Sequence, residues 1–464
     1  MKKLAPMAAS TLSALTLLVC YSTLVLAGDA RDPGVRDLGV RDPGVRPGVA
    51  GAGAPLAGLS SNELVYFAAA TAEFTQHEGI GDGLGPRFNL DGCSGCHAQP
   101  AVGGSSPAVN PQVAIATAYG ARNIVPSFIT VNGPIREARF KFHPDGTPDG
   151  GVHSIFVISG RSDFDGDAST CNIEQDDFAG NLASNNLSTR IPTPIFGVGL
   201  MEAIPATTLT ANLAANAALK KGLGIAGRFN MSGNTGTITR FGWKAQNASA
   251  LMFSGEAYDV EMGISNELFP TERDETAGCV IPTTPNSFTN MDASTGASAM
   301  SSMQASAIFL RQIGPPTPST TTPGGAASIA NGKLVFASTG CALCHTPSMR
   351  TSSITTVAAV ANQSVNLFSD LALHHMGSGL ADDIQQGGAP ALGDEFRTAP
   401  LWGVGQRIFF MHDGRTHDLA RAIRLHASPG DSMYGPSEAN AVVERFNDLN
   451  PNDAQDLLNF LRSL

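Results

Sequence analysis

The arrangement of apolar and polar residues divides the chain into segments of different kinds. An apolar stretch from Thr11 to Leu26 follows two lysines and ends in small residues before Gly28. Such a stretch is short for a bilayer span and has the layout of a secretory signal that is cleaved near Ala27. We therefore expect residues 1–27 to be a cleaved signal peptide and the mature protein to be periplasmic.

Residues 28–58 have no periodic apolar face. Between Arg31 and Val49 the sequence repeats an Arg-Asp-Pro-Gly-Val unit with small variations, and the recurring Pro-Gly pairs oppose regular structure. The pattern predicts a disordered, Pro/Gly-rich repeat tether over residues 28–58, with folded structure from about Leu59.

Helical and strand-like patterns alternate in the remainder of the chain. Ser61–Phe74 has helical spacing, whereas the region from Val113 to Arg161 consists of short β-rich runs split by glycine and proline. Strands are predicted at residues 128–131, 154–158 and 235–243, and further helices at 209–221, 297–312 and 328–339. The last helix has Asn450 as its N-cap, Pro451 at its first position and leucines along one face.

The candidate chemistry is concentrated in two Cys-x-x-Cys-His pentads, which begin at Cys93 and Cys341. In each pentad the two thiols lie one helical turn apart and can form thioethers to one haem, and the histidine can bind the iron. A redox dithiol or half of a zinc site would not require a histidine directly after the second cysteine. We expect two covalently bound haem c groups, held by Cys93, Cys96, His97, Cys341, Cys344 and His345.

Composition limits the possible disulfides, the possible binding partners and the content of regular structure. The chain has seven cysteines; without Cys20 of the signal and the pentad thiols, Cys171 and Cys279 remain, either as a disulfide or as buried free thiols. The formal net charge of −11 argues against nucleic acid and anionic membranes as partners. No hydrophobic run after the signal is long enough for a membrane span. With 51 glycines, 29 prolines and only 15% charged residues, the chain is expected to be rich in loops.

A repeat links the two halves of the chain. Residues 194–200 (Pro-Ile-Phe-Gly-Val-Gly-Leu) align with residues 400–406 (Pro-Leu-Trp-Gly-Val-Gly-Gln), and each copy follows its own pentad. A Pro/Thr/Gly-rich linker at residues 315–326 separates the copies. A leading helix, a pentad and a terminal helix are the parts of a class I cytochrome c domain. The predicted fold is therefore mainly α, with two class I cytochrome c-like domains in tandem, at residues 59–314 and 327–464, and a β-rich insertion in the first.

Several further motifs resemble those of the di-haem oxidoreductase family of peroxidase-like proteins, which is also called predicted thiol oxidoreductase. These motifs are Gly85–Asn89, Arg190–Pro194, Gly199–Pro205, Arg240–Ala245, Glu261–Ile264, Phe396–Trp402 and Met411–Arg415. The resemblance covers roughly Leu59–Leu464 and implies a two-haem redox fold. The C-terminal half is more distantly similar to bacterial di-haem cytochrome c peroxidases and rubber oxygenases. His375 departs from the family, which usually has aspartate there.

The axial ligands decide what each haem does. A haem with two strong axial ligands transfers electrons, whereas one with an open face can bind peroxide or dioxygen. In the distantly related peroxidases the distal ligand follows a His-Asp-Gly-Arg turn and a short helix, and His426 occupies that place here. We predict His345 and His426 as ligands of an electron-storing second haem. The alternatives to His426 are His374, His375, Met376, Met411, His412 and His417.

The first haem is predicted to be five-coordinate and reactive, because no histidine lies between His97 and His143. His143 and His153 are its alternative ligands. Cleavage of an O–O bond requires an acid or base and hydrogen-bond donors. Glu202 is the candidate acid by its position in the repeat, and Arg190 is the candidate donor. A helix-capping carboxylate and a propionate ion pair are the structural alternatives for these two residues.

Three functions remain in competition. The first is a peroxidase-like oxidoreductase that reduces a small-molecule oxidant, hydrogen peroxide, with electrons from a small periplasmic cytochrome c or cupredoxin. The second is a non-catalytic di-haem electron-transfer cytochrome, and the third is a haem oxygenase-type enzyme that acts on an apolar substrate. Calcium between the domains, as in some relatives, is compatible with the sequence. Trp243 and Trp402 are candidates for an electron path between the haems.

Overall fold

Short helices joined by long irregular segments make up most of the described chain. The computed structural model describes residues 39–390 and 392–464. The predicted signal peptide and the beginning of the predicted tether lie outside the described residues. The α-helices are α1 (Ser61–Phe74), α2 (Cys93–Cys96), α3 (Gln112–Ile115), α4 (Phe178–Ala183), α5 (Val198–Glu202), α6 (Ala206–Ala214), α7 (Ala217–Gly222), α8 (Ala250–Ala257), α9 (Gly296–Ala299), α10 (Ser302–Gln312), α11 (Ala326–Thr339), α12 (Leu419–Arg424), α13 (Asn440–Asn447) and α14 (Pro451–Ser463).

The strands are short and form small antiparallel sheets. They are β1 (Arg87–Phe88), β2 (Glu137–Phe140), β3 (Val152–His153), β4 (Phe156–Val157), β5 (Leu187–Arg190), β6 (Met349–Arg350), β7 (Ser364–Val365), β8 (Leu373–His375) and β9 (Glu395–Arg397). The largest sheet has the order β3-β2-β5, and its register places Glu137 opposite Arg190. The β-rich region of the first half is therefore present. The strand predicted at residues 128–131 is wrong, because turns that close through the Ile129 and Gly133 amides occupy it.

Two pairs of helices each flank one pentad: α1 packs against α10, and α11 packs against α14. In the first pair Phe74 stacks on Phe309 with 4.3 Å between the ring centroids. In the second pair Phe336 lies edge-on to Phe460 at 5.5 Å. The two pairs therefore place equivalent aromatic rings beside the two pentads.

Small residues allow each pair of helices to approach closely. Gly332, four residues before Phe336, lies where a Cβ atom would collide with the Asp456 carbonyl. Ala70, four residues before Phe74, is fully buried. Ser60 begins α1 through a capping box with Glu63, and the predicted Asn450 cap and first-position Pro451 of α14 are confirmed.

The repeated heptapeptide has the same backbone geometry in both copies. Gly197 and Gly403 each precede a helical turn with positive φ angles of 67° and 72°, a conformation that favours glycine. Two residues later, Gly199 packs against the Arg311 carbonyl at the end of α10. Gly405 packs in the same way against the Arg462 carbonyl at the end of α14. The repeat is therefore a structural repeat, and in each half it holds the end of the terminal helix.

Two predicted helices are interrupted. The helix expected at residues 209–221 is divided into α6 and α7, because Asn216 adopts a left-handed conformation with φ of 58°. The helix expected at residues 297–312 is divided at Ser301, whose side chain caps α10. Among the described helices, none has both the length and the apolar character needed to cross a membrane.

The prediction of a disordered tether over residues 28–58 is wrong for its described part. Arg46 is buried and donates to the carbonyls of Thr317 and Leu464, and Leu56 belongs to the buried core. The linker at residues 315–326 is irregular, as expected, but it does not separate two compact units, because the described chain lies within one such unit. Cys171 and Cys279 form a disulfide.

Candidate functional site

The first pentad forms a single helical turn at one end of a large cleft. Cys93, Cys96 and His97 all line this first cleft, which encloses about 1140 Å³, part of it open to solvent. The Nδ1 atom of His97 donates to the Gly104 carbonyl at 3.0 Å, which leaves Nε2 available as a ligand atom. Burial lowers the pKa of His97, so the imidazole is neutral, as metal binding requires.

The second pentad has the same construction. Cys341, Cys344 and His345 line a second cleft of about 1430 Å³. The Nδ1 atom of His345 donates to the Phe368 carbonyl at 3.0 Å, and burial together with the nearby His426 lowers the pKa of His345 to about 4. Each pentad histidine is thus held by a main-chain carbonyl in one tautomer.

Both histidines lie beside the aromatic residue of the leading helix in their half. The centroid of the His97 ring is 6.1 Å from that of Phe74, and the centroid of the His345 ring is 6.4 Å from that of Phe336. The angles between the ring planes are 54° and 58°. The surroundings of the two pentad histidines, His97 and His345, are therefore close copies of each other.

The wall of the first cleft carries several buried ionisable groups. Glu137 accepts from Arg139 at 2.6 Å, and although burial opposes it, the Arg139 charge lowers the pKa of Glu137. Burial and the Glu137 carboxylate raise the pKa of Glu261 well above its usual value. The two shifts favour a charged Glu137 beside a protonated Glu261. The first cleft therefore contains a carboxyl group, Glu261, whose protonated form is favoured by its surroundings.

The second cleft has a different wall, which is mostly apolar and includes three further histidines, His374, His412 and His426. The ring centroids of His345 and His426 are 6.5 Å apart, and the Nδ1 atom of His426 donates to the Ala422 carbonyl at 2.8 Å. Two imidazoles on opposite sides of one metal ion, with metal–nitrogen bonds of about 2 Å, would have a similar separation. The second cleft thus presents two neutral imidazoles to the space between them.

Two buried arginines, Arg397 and Arg407, show how well the charge of the second cleft matches that of a haem. Within the described chain, the Nε and Nη2 atoms of Arg407 are buried and have no hydrogen-bond partner. Burial and the charge of Arg407 lower the pKa of Arg397 to about 10. Arg397 donates to the carbonyls of Gly242 and Thr398, whereas the buried unpaired N–H groups of Arg407 require an anion. The carboxylates of haem propionates have the right charge, and the apolar wall suits the macrocycle, so the residues present fit this group.

Trp243 lies between the two clefts and lines both. Its indole N–H donates to the Ile191 carbonyl at 2.9 Å, and its ring lies edge-on to His412 with 6.4 Å between centroids. Trp402 instead is buried in the core, where it packs against Gly197. Of the two tryptophans, Trp243 therefore has the position expected of a residue between the centres.

Glu202 is not among the residues that line the two described clefts. The Glu202 carboxylate accepts from Arg311 at 2.6 and 3.1 Å and from the Ala250 amide at 3.0 Å. Burial raises its pKa, but the hydrogen bonds and charge of Arg311 outweigh this effect and lower it. An ionised carboxylate held in this way is a poor proton donor.

Arg190 does line the first cleft, but its guanidinium is already paired. It donates to Asp382 at 2.7 and 3.2 Å and to Gln386 at 2.6 Å. Asp382 also binds the buried Lys244 at 3.0 Å. Arg190 thus fixes a loop of the C-terminal half against the wall of the first cleft.

The other histidines considered from the sequence have separate places. His374 lies at the wall of the second cleft, where Asp370 and Glu438 hold its two ring nitrogens at 3.0 and 2.7 Å. His143 and His153 form ion pairs with Asp149 and are not among the residues that line the described clefts.

Sequence reasoning missed the residues that give each cleft its chemistry. Glu261 and Arg397 lie inside motifs that resemble the family's, so these motifs could have pointed to them. Glu137 and Arg407 carry no such signal, because their roles depend on contacts between distant segments.

Two clefts, each with its own Cys-x-x-Cys-His pentad, define a two-centre haem protein. A family model described as "Di-haem oxidoreductase, putative peroxidase" matches residues 143–464, and the chain therefore belongs to the di-haem oxidoreductase family. The matched region contains the second pentad and begins after the first. Haem is the cofactor that this family implies.

Other comparisons add little. A search of curated proteins found no match. Among solved structures, the chain is similar to that of a MauG-like protein associated with microbial copper homeostasis, at 17% sequence identity and a TM-score of 0.27. That alignment covers 56% of this chain and 89% of the other.

Proposed function

We propose that this protein is a periplasmic di-c-haem oxidoreductase that reduces a peroxide at its first centre with electrons stored at its second. The observation that carries the proposal is the contrast between two clefts of common construction. The first cleft contains His97 and the carboxyl pair Glu137 and Glu261, in which the protonated form of Glu261 is favoured. The second cleft contains His345 and, beside it, His426.

The position of the four pentad thiols supports covalent attachment of both haems. They are free of disulfides, and all four line the clefts beside the histidines. Thioethers from two cysteines one turn apart would hold the vinyl side of each macrocycle. Arg407 and Arg397 would hold propionates in the second cleft.

The second centre is assigned the electron-storing role, with His345 and His426 as its two axial ligands. Two imidazoles favour a low-spin centre that exchanges electrons rather than ligands. Trp243 would lie on the path from this centre to the first.

The first centre is assigned the chemistry. Bound haem would supply the iron at which a peroxide oxygen binds and from which electrons reach the O–O bond. Glu261 holds the proton needed by the leaving oxygen, Glu137 stabilises the pair in its singly protonated state, and Arg139 sets the charge of Glu137. The predicted acid role of Glu202 remains untested, but the position of Glu261 in the cleft favours Glu261.

We also propose that each half is a class I cytochrome c-like domain. The helix pairs α1 with α10 and α11 with α14, each beside a pentad, support this reading. The β-rich segment around β2, β3 and β5 is then an insertion that contributes Glu137 and Arg190 to the first cleft.

Location and partner rest mainly on the sequence. The basic start, the apolar stretch and Ala27 form the export signal, and the disulfide between Cys171 and Cys279 is compatible with an oxidising compartment. The net charge of −11 favours a basic electron donor such as a small cytochrome c or a cupredoxin. Calcium remains an expectation from distant relatives.

One observation favours electron transfer without catalysis as a second candidate. Met262 is buried and lines the first cleft, and a methionine thioether is a common second ligand in cytochromes c. If Met262 binds there, both centres are six-coordinate.

Ligand binding to the purified holoprotein separates these functions. Carbon monoxide should bind one reduced haem per chain, and hydrogen peroxide should oxidise the reduced protein repeatedly when a donor is present. Binding of no carbon monoxide, with both haems low-spin at neutral pH, would establish the electron-transfer cytochrome instead. Ligand binding without peroxide turnover would favour an oxygenase, which is then tested with apolar substrates and dioxygen.

A further inference from the structure

The segment Gly39–Gly58, here called the N-terminal arm, is tied to the C-terminal half near the second cleft. The Arg41 amide donates to the Gln455 side chain at 3.0 Å, and the Arg46 amide donates to the Gly405 carbonyl at 2.7 Å. The side chain of Gln406 donates to the Gly48 carbonyl. These contacts hold Asp42, which lies between Arg41 and Arg46, at a fixed place.

Asp42 makes the strongest of these contacts. Its carboxylate accepts from the Arg462 guanidinium at 2.7 and 2.6 Å, and its Oδ2 atom also accepts from the Leu419 amide at 2.7 Å. The side chains of Arg462 and Asp42 are 1% and 8% exposed. Burial would raise the pKa of Asp42, but the hydrogen bonds and charge of Arg462 lower it, so the carboxylate is ionised and both partners are satisfied.

Leu419 is the first residue of α12, and α12 leads directly to His426. The His426 amide donates to the Ile423 carbonyl at 3.2 Å, and its ring donates to the Ala422 carbonyl, so the last turn of α12 orients the imidazole. Arg462 in turn donates to the Arg407 carbonyl at 2.9 Å. The Asp42–Arg462 pair thus contacts two elements that form the wall of the second cleft.

The first half contains the same arrangement. Glu202 binds Arg311 at the end of α10 and accepts from the Ala250 amide, the first residue of α8. Four residues of α8, among them Phe253 and Glu256, line the first cleft. In both halves a carboxylate joins the arginine of the terminal helix to the first amide of a helix that serves the cleft.

The source of the carboxylate differs between the halves. Glu202 lies eight residues after Pro194, and the residue eight positions after Pro400 is Ile408. The second copy of the repeat therefore lacks the acid, and Asp42 from the N-terminal arm supplies it.

We propose that Asp42 is a positioning residue for His426, and that the N-terminal arm is part of the second haem site. This inference rests on the proposed function in one respect, the assignment of His426 as a ligand. In the second half, Asp42 takes the role that Glu202 has in the first half: its carboxylate binds the arginine of the terminal helix and the first amide of a helix at the cleft. Without Asp42, α12 loses the tie at its first residue, and the imidazole at its end is held less firmly.

The test compares the holoprotein with its Asp42→Asn and Asp42→Ala variants. Displacement of His426 from the second haem by carbon monoxide or cyanide should become roughly tenfold easier, the size of effect expected when one capping contact is lost. Hydrogen–deuterium exchange of residues 419–426 should quicken. Ligand binding to the first haem should not change, which also shows that the variants are folded.

Two further variants make the test specific. Glu202→Gln, the mirror change in the first half, should leave the second haem unaffected. Ile408→Glu in the Asp42→Asn background places a carboxylate at the repeat position of Glu202 and should restore part of the parent's resistance to displacement of His426. If folded Asp42 variants exchange ligands and amide hydrogens as the parent does, the inference is overturned.

His426→Ala distinguishes this failure from failure of the proposed function. If His426→Ala leaves the low-spin signal unchanged, His426 is not a ligand and the assignment of the second centre fails. If His426→Ala abolishes the signal while the Asp42 variants exchange ligands and amide hydrogens as the parent does, only the positioning role of Asp42 is wrong.

Discussion

Each cleft holds a pentad histidine whose Nδ1 atom donates to a main-chain carbonyl, and each histidine lies beside a phenylalanine of its leading helix. The opposite walls share almost nothing. The first presents the carboxyl groups of Glu137 and Glu261, whereas the second presents His426 within a mostly apolar surface that also holds two buried arginines. The two clefts therefore keep the same surroundings around the pentad histidine and differ in the chemistry of the opposite wall, where one has carboxyl groups and the other a further histidine.

Replacement of the pentad cysteines should have the largest effect, because both clefts are built around a pentad. The double changes Cys93→Ala with Cys96→Ala, and Cys341→Ala with Cys344→Ala, should each lower the intact mass under denaturing conditions by one haem, since a thioether survives denaturation and coordination does not. The first variant should lose peroxide turnover entirely. The double change Cys171→Ser with Cys279→Ser is the matched control and should retain both haems. Equal retention of two haems in all variants would contradict covalent attachment.

Glu261→Gln tests the chemistry of the first wall. If the Glu261 proton reaches the leaving oxygen, turnover with peroxide should fall by about 10²–10⁴-fold, as for loss of a general acid, with ligand binding at the second centre unchanged. Steady-state kinetics with hydrogen peroxide measure the effect. Glu174→Gln, the same change at an exposed position, should retain the parent rate. A Glu202→Gln variant slower than Glu261→Gln would return the acid role to Glu202.

His426→Ala should make the two centres alike. Removal of the second imidazole opens the second haem, so carbon monoxide should bind two haems per chain instead of one, and a low-spin signal should become high-spin. Electron paramagnetic resonance and ligand titration measure both changes. The control variant His143→Ala, at a half-exposed loop position, should bind carbon monoxide at one haem per chain, as the parent does. An unchanged spectrum of the His426 variant would move the assignment to His374, His412 or Met376.

Asp382 gives a smaller, pH-dependent effect on stability. Burial would raise the pKa of Asp382, but Arg190 and Lys244 lower it to about 2. The folded pKa lies below the unfolded value, so this stability is present above about pH 4 and is lost as the pH falls toward 2. The shift corresponds to about 2 kcal/mol.

Chemical denaturation of the parent and of Asp382→Asn tests this linkage. The parent should be more stable near neutral pH, and the difference should narrow as the pH is lowered through about 4. Asp292→Asn, at an exposed loop position, should show no such difference. A constant gap between the parent and Asp382→Asn across this range would mean that Asp382 has the same pKa in the folded and the unfolded protein.

The sequence predicts the parts of this molecule that depend on local spacing. The pentads, the Asn450 cap and the repeated heptapeptide are of this kind, and all are found as expected. The sequence does not reveal pairings between distant segments. The N-terminal arm resembles a tether because the residues that order it, such as Arg462, lie at the far end of the chain. Glu202 is predicted to face a cleft because no local pattern shows that Arg311 binds it.

The disulfide between Cys171 and Cys279 closes a loop over a sequence separation of 108 residues. Arg190, Trp243 and Glu261 all lie within this loop, so much of the wall facing His97 belongs to one covalent ring. In the chain-entropy account, a ring of this size restricts the unfolded chain by roughly 4–5 kcal/mol. Both sulfur-bearing residues are only 1% exposed, so a reductant reaches them only after the surrounding structure opens. The disulfide therefore keeps the two ends of this segment together even when its noncovalent contacts are lost. The segment that forms the wall of the first cleft then has fewer unfolded conformations from which to refold.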